Sequence, residues 1–287
     1  VMYPSSFEYY RAESIDEALS LLSQYSDGQL LAGGHSLIPA MKLRLSEPHT
    51  LIDISRISDL KSISKDGGTV RIGALATHTE VSLSDVVRES CLALAEAAGI
   101  IGDPQVRNKG TIGGNIVHAD PASDYPGILL ALGATVVARS ASGERSIPSQ
   151  EFFTGLFETS LEEGEIVTEI HVPVIGNGTG AAYAKFPNPA SRYAVVGLGA
   201  VVTVSNGSCS SCRIGVTGAA DHAFRAEAAE RALVGSDLGP ASIDGASRKV
   251  SEGQEMLSDL AASAEYRAHL CAVMAAKAVA QATERAS

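Results

Sequence analysis

Apolar residues at Ala18, Leu21 and Leu22 recur with the period of a helix. The helix is opened by the capping-box sequence Ser14-Ile-Asp-Glu17, and Gly28 is read as its stop. Leu30 and Leu31 form a short apolar run, read as a buried strand, that leads straight into Gly33-Gly34. Ser36 is placed to cap a helix from about Leu37 to Leu45. Thr50–Ile54 and Val70–Ala74 are further short strands, the second after the turn Asp66-Gly-Gly68. A short helix starts near Glu80, and a helix capped by Ser84 or Asp85 reaches Ala98 before Gly99. The stretch 100–126 breaks the regularity. It is punctuated by glycine and strand-poor, and a long irregular segment inside a compact domain is usually functional. Gly127–Leu132 reads as a short apolar helix, Thr135–Ala138 as a strand, Ser149–Phe153 as one helical turn, and Glu165–Val172 as an alternating strand.

The glycine-rich linker 173–180 is the best boundary. Beyond it Ala181–Phe186, Tyr193–Val204 and Arg213–Thr217 read as three strands of an antiparallel sheet. Helical patterns follow at 225–234, 242–252 and 264–283, the last with Tyr266, Leu270, Val273 and Met274 on one stripe. This order predicts an α+β protein with a two-lobed N-terminal part and a C-terminal sheet with helices.

Composition narrows the function classes. Net charge is −11, which disfavours a nucleic-acid surface and an electrostatic membrane anchor. No apolar run is long enough for a transmembrane helix, and Val-Met-Tyr-Pro-Ser-Ser-Phe lacks the pattern of a signal peptide, so a cytoplasmic protein is expected. Among the 4 cysteines, Cys209 and Cys212 form a C-x-x-C. Three residues apart on a strand, they are expected to face opposite sides of the sheet, and no second pair or nearby histidine completes a metal set.

Candidate chemistry gathers in two stretches of like texture, Ala32-Gly-Gly-His-Ser-Leu37 and Lys109-Gly-Thr-Ile-Gly-Gly-Asn-Ile116. Glycine backbone N–H groups with no Cβ in the way can cradle phosphate oxygens, and Ser36, Thr111 and Asn115 add side-chain hydrogen-bonding groups. A tight turn between strands is the plainer reading of Gly113-Gly114 alone; the paired stretch favours a phosphorylated ligand spanning both. Rossmann, P-loop, H-E-x-x-H and G-x-S-x-G signatures are absent. Of the 7 histidines, His35 and His118 lie in the glycine segments, where hydrogen bonding is their expected role. Asp120 and Asp124 are either a functional carboxylate pair or turn residues.

These two motifs together resemble the FAD-binding subunits and domains of the molybdenum hydroxylases, the relatives of xanthine dehydrogenase and carbon monoxide dehydrogenase. Their flavin fold is of the vanillyl-alcohol-oxidase type. The likeness runs over nearly the whole chain, through Phe7-Glu-Tyr-Tyr-Arg-Ala12, Leu51–Ile54, Ile72–Ala74, Gln105–Lys109, Glu163–Ile170, Arg213–Gly218 and the closing helices. Ala32–Leu45 and Asn188–Tyr193 resemble the medium subunit of the carbon monoxide dehydrogenase branch.

The resemblance implies an FAD-binding domain over 1–177, in subdomains of about 1–56 and 57–177, and a C-terminal domain over 178–287. Ala32, Gly33, Gly34, His35, Ser36 and Leu37, with Gly110, Thr111, Ile112, Gly113, Gly114 and Asn115, are expected at the diphosphate. Asp124 is expected to hydrogen-bond the flavin part. Ile101, Leu161, Lys185 and Tyr193 fall where the family lines the isoalloxazine ring, Tyr193 by stacking and Lys185 as a cation that raises the potential. Each has a plainer alternative as core, surface or strand residue. Neither a catalytic residue nor a metal ligand is expected in this chain. Partners implied are an iron–sulfur small subunit with [2Fe-2S] clusters, a molybdenum-containing large subunit and an external acceptor, a quinone, with CO as the substrate. Association with the inner membrane face would come only through the complex. A self-sufficient flavoprotein oxidoreductase, an FAD subunit of a xanthine- or nicotinate-type dehydrogenase, and a flavin-free scaffold are the alternative readings.

Overall fold

In the computed structural model residues 3–286 are described; Val1 and Met2, part of the N-terminal stretch read above, and Ser287 lie outside the described residues. Ser14 caps helix Ile15–Gln24 by accepting from Glu17 N, while the Glu17 carboxylate turns back to Glu13 N at 2.8 Å. The helix stops at Tyr25, and Gly28 instead opens the next strand, Gly28–Leu31. That strand and Glu8–Arg11 flank Thr50–Asp53 in a three-stranded parallel sheet. Ala18, Leu19 and Ile52 seal its helix-covered side.

A second, five-stranded antiparallel sheet is ordered Ile63–Asp66, Thr69–Gly73, Ile166–Pro173, Thr135–Ser140, Gly143–Pro148. Its edge strands were not legible as alternating runs, because both are mostly exposed and polar. The expected helix 84–98 is two helices, Asp85–Ser90 and Leu92–Gly99, broken where Cys91 leaves helical geometry. The stretch 100–126 is not irregular. Asp103 caps Pro104–Arg107, Thr111 caps Ile112–His118, and Asp124 begins Asp124–Leu132. Short helices with interior Gly and Pro carry too little apolar period to stand out.

The third sheet is antiparallel, Thr179–Pro187, Ala194–Ser205, Ser208–Thr217 and the two-residue strand Phe224–Arg225. Helix Ala264–Ala286 covers one face, with Ala182, Leu198 and Val216 in the shared core. Helix Asp124–Leu132 lies on the other. Glycine is required there: a Cβ on Gly199 would sit 2.8 Å from Ile128 Cα, and one on Gly215 2.1 Å from Gly127 O. This close approach carries Asp124 to the sheet.

The C-x-x-C expectation is corrected by a bulge. Ser211 pairs with Thr203 and Cys209 with Val204, which leaves Ser210 as an extra residue. Cys209 and Cys212 therefore share one face, and both are buried. Among the described residues no group of three or more His, Cys, Asp or Glu is placed to hold a metal. No helix there is long and apolar enough to cross a membrane.

Candidate functional site

The first glycine stretch joins strand Gly28–Leu31 to helix Leu37–Lys42, with Gly34 in the left-handed region at φ +73°. The N–H groups of Gly33, Gly34, His35 and Ser36 find no acceptor among the described residues. Ser36 does not cap the helix with its side chain.

The second stretch meets the first directly. A Cβ on Gly33 would lie 2.0 Å from Lys109 O and 3.0 Å from Gly110 Cα. A Cβ on Gly114 would lie 3.8 Å from Ala32 Cβ, and Gly114 itself is exposed. Gly113 and Gly114 lie in the first turn of helix Ile112–His118, not in an open loop. Their amides are spent inside the chain: Ile112 N donates to Ala76 O, Gly113 N to Ala74 O, Asn115 N to Thr111 O, and Gly114 N to Thr111 Oγ1 at 3.1 Å. Gly113 is small because Ala74 Cβ would be 2.6 Å from an added Cβ. The run of consecutive unspent backbone donors is the Gly33–Ser36 arm; in the second stretch only Thr111 N is without an acceptor among the described residues, and the exposed Gly114 lies beside Ala32.

A buried polar group adjoins this seam. Ser123 Oγ donates to Asn115 Oδ1, and the next residue, Asp124, is 3% exposed. Lys185 Nζ donates to Asp124 Oδ2 at 2.7 Å and Tyr183 Oη to Oδ1 at 2.8 Å. Burial pushes the Asp124 carboxyl up, against the pull of Lys185 and Tyr183. Lys185 is therefore an ion-paired, buried cation rather than a lone charge. Segment 121–124 is stapled to the C-terminal sheet: Thr217 Oγ1 donates to Pro121 O and Ser123 O at 2.9 and 2.7 Å, and Ala194 N to Ala122 O at 3.0 Å.

The remaining expected residues spread around this centre. Ile101 is buried in the large N-terminal core, on which Leu161 packs. Lys185 Nζ reaches Ile100 O at 3.4 Å, which ties the Ile101 segment to the Asp124 pair. Tyr193 is exposed, in the turn between strands Thr179–Pro187 and Ala194–Ser205. His118 packs at a tilt against the exposed Phe157, ring centroids 5.2 Å apart, and His35 is exposed on the loop. Sequence reasoning missed Tyr183, His78 and Tyr125. Tyr183 was findable, since it stands one strand period from Lys185 and so shares its face. His78 and Tyr125 meet across the core, at 3.2 Å between Nδ1 and Oη, with no local signal.

Four consecutive free amides beside the exposed Gly114 suit a dinucleotide diphosphate. Residues 5–175 match the family model described as FAD binding domain in molybdopterin dehydrogenase. The chain belongs to that family, so it is a flavoprotein component of an oxidoreductase with FAD as its cofactor. Residues 181–282 match the CO dehydrogenase flavoprotein C-terminal domain. The chain is 40% identical to the carbon monoxide dehydrogenase medium chain of Hydrogenophaga pseudoflava, over 97% of each. It is 39% identical to the 6-hydroxypseudooxynicotine dehydrogenase complex subunit alpha of Paenarthrobacter nicotinovorans, over 99% of this chain and 97% of the relative. The solved carbon monoxide dehydrogenase of Hydrogenophaga pseudoflava that lacks the Mo-pyranopterin moiety superposes with a TM-score of 0.97, at 42% identity and 100% coverage of both chains.

Proposed function

We propose that this chain is the FAD-carrying electron-transfer subunit of a molybdenum hydroxylase of the carbon monoxide dehydrogenase type. FAD would relay electrons from [2Fe-2S] clusters of a small partner subunit, reduced in turn by a molybdenum-bearing large subunit, to an external acceptor such as a quinone. CO is oxidised to CO2 in the large subunit and never meets this chain, so no residue here acts as an acid or base toward it. The complex is cytoplasmic, with contact to the inner membrane face only through its partners.

The chain's own residues bind and orient. Ala32–Leu37 and Gly110–Asn115 hold the diphosphate, the first mainly through its free amides and the second through Thr111, Asn115 and the gap at Gly114. Asp124 and Lys185, neutralising each other, set the polar floor for the flavin part. Ile101, Leu161 and Tyr193 flank the ring and exclude water. The domains divide at 177/178, with subdomains 1–56 and 57–177. The observation that carries this reading is the meeting of the free-amide arm with the glycine-gapped helix start. Purification of the chain with its neighbours tests it: FAD should copurify, and CO should bleach it only when iron–sulfur and molybdenum subunits are present. Bleaching by substrate in the isolated chain would favour a self-sufficient oxidoreductase.

The near-equal identity to a 6-hydroxypseudooxynicotine dehydrogenase subunit supports a second reading, in which the complex oxidises an N-heteroaromatic compound of the xanthine or nicotinate type. Titrating the complex with CO and with such compounds separates the two.

A further inference from the structure

Gly33, Gly110 and His78 are stacked in that order. A Cβ on Gly33 would lie 3.0 Å from Gly110 Cα, and a Cβ on Gly110 would lie 2.6 Å from His78 Nε2. Gly110 is glycine because the imidazole edge fills its side-chain space. His78 is 3% exposed, and its Nδ1 lies 3.2 Å from the hydroxyl of the fully buried Tyr125. That hydroxyl has no other partner among the described residues, so it must donate to Nδ1 or remain buried with its proton unpaired. Burial first, then the charges of His35 and Arg107, lower the His78 pKa to about 4, so the ring is neutral. Its one proton then sits on Nε2, and Nε2 has no acceptor among the described residues.

We infer that His78 Nε2–H is a hydrogen-bond donor to the diphosphate of the bound dinucleotide, locked in the required tautomer by Tyr125. This rests on the FAD reading above. The diphosphate is the part of the ligand that needs donors, and the other unspent donors at this seam are the amides of Gly33–Ser36 and of Thr111. His78 contacts the cofactor; Tyr125 is a positioning residue that acts through it.

The test uses the flavin-loaded protein as purified, with whatever subunits accompany it. FAD dissociation constants from flavin fluorescence and ³¹P spectra of bound FAD are compared for wild type, His78→Leu, His78→Gln and Tyr125→Phe. His78→Leu should bind roughly tenfold to hundredfold more weakly, the range of one hydrogen bond to a charged group, with shifted phosphorus resonances. His78→Gln, whose amide N–H falls near the Nε2 position, should recover most of the loss. Tyr125→Phe, which frees the tautomer, should fall between. Unchanged affinity and ³¹P shifts in His78→Leu overturn the inference, as does a His78→Gln as weak as His78→Leu with wild-type shifts. If the variants do not fold by circular dichroism, ¹⁵N-histidine spectra of wild type decide, since the Nε2 resonance of His78 must move when FAD is added. A wild type that takes up no FAD with its partners present fails the flavin reading instead.

Discussion

The missing side chain of Gly33 would sit 2.0 Å from the carbonyl oxygen of Lys109, inside van der Waals contact by a wide margin. Two segments far apart in sequence thus touch backbone to backbone, and position 33 tolerates no methyl group at that point. The contact fixes the spacing between the free-amide arm Gly33–Ser36 and the helix start at Thr111. A site for a rigid diphosphate needs that spacing set before the ligand arrives.

The glycines of the seam should separate into two kinds. Gly33→Ala and Gly113→Ala force backbone shifts, because the new Cβ meets Lys109 O at 2.0 Å or Ala74 O at 2.7 Å. Each should cost about 1–3 kcal/mol of stability and lose flavin as a consequence. Gly114 is exposed, and the nearest atom to an added Cβ is Thr111 Oγ1 at 2.9 Å. Gly114→Leu should therefore release FAD with stability changed by about 1 kcal/mol or less. Flavin absorbance after gel filtration and urea unfolding of the same samples check this. A stable Gly114→Leu with full flavin content would remove Gly114 from the site.

Asp124 and Lys185 should behave as a buried pair. Their side chains are 4% and 3% exposed, so removing one leaves the other without a counter-charge. Lys185→Met should destabilise by about 3–5 kcal/mol. The double variant Asp124→Asn with Lys185→Met should recover a large part of that, since it leaves no uncompensated charge. A double-mutant cycle by urea unfolding measures the coupling, and additive effects would mean that the ion pair does not form.

The elements legible in the sequence were those with strong period or strong punctuation. Helix Ile15–Gln24 announced itself through Ser14 and Glu17, and the strand around Ile170 through alternation. The two glycine stretches were legible as a pair because their texture repeats. What stayed hidden depends on contacts across the fold. The bulge at Ser210 turns Cys209 to the face of Cys212, and no local residue signals it. His78 reads as an ordinary helix-start residue after Thr77, and only its distant neighbours Tyr125 and Gly110 give it a place in the site. The cap at Thr111 was also hidden: its hydroxyl accepts from Gly114 N, which leaves its own proton to donate.

That cap gives a direct test. Thr111→Val keeps the shape of the side chain but loses the oxygen, leaving Gly114 N–H unpaired at the start of helix Ile112–His118. Stability should fall by about 1 kcal/mol, and Thr111→Ser should restore it. Thermal melts of the flavin-free and flavin-loaded forms check this. Equal melting of Thr111→Val and wild type would show that the cap contributes nothing.

His78 should make the protein acid-sensitive in a defined window. In the unfolded chain its imidazole protonates near the ordinary 6.5; in the folded protein, where burial and the charges of His35 and Arg107 oppose the cation, it protonates only near about 4. Between these values the unfolded chain binds the extra proton, so the neutral ring's contribution is intact above the unfolded value. It is lost progressively as pH falls from 6.5 to about 4. At about 1.4 kcal/mol per pH unit, the contribution amounts to about 3 kcal/mol at the acid end. Asp124 works in the opposite sense, because its carboxyl is raised, so the total curve mixes the two. The difference between wild type and His78→Gln isolates the histidine. It should be flat above pH 6.5 and should shift in favour of the variant by about 3 kcal/mol on going down to pH 4. Urea unfolding of both proteins at half-unit pH steps measures it. Parallel curves across the window would mean that His78 is either solvated or already protonated in the folded protein.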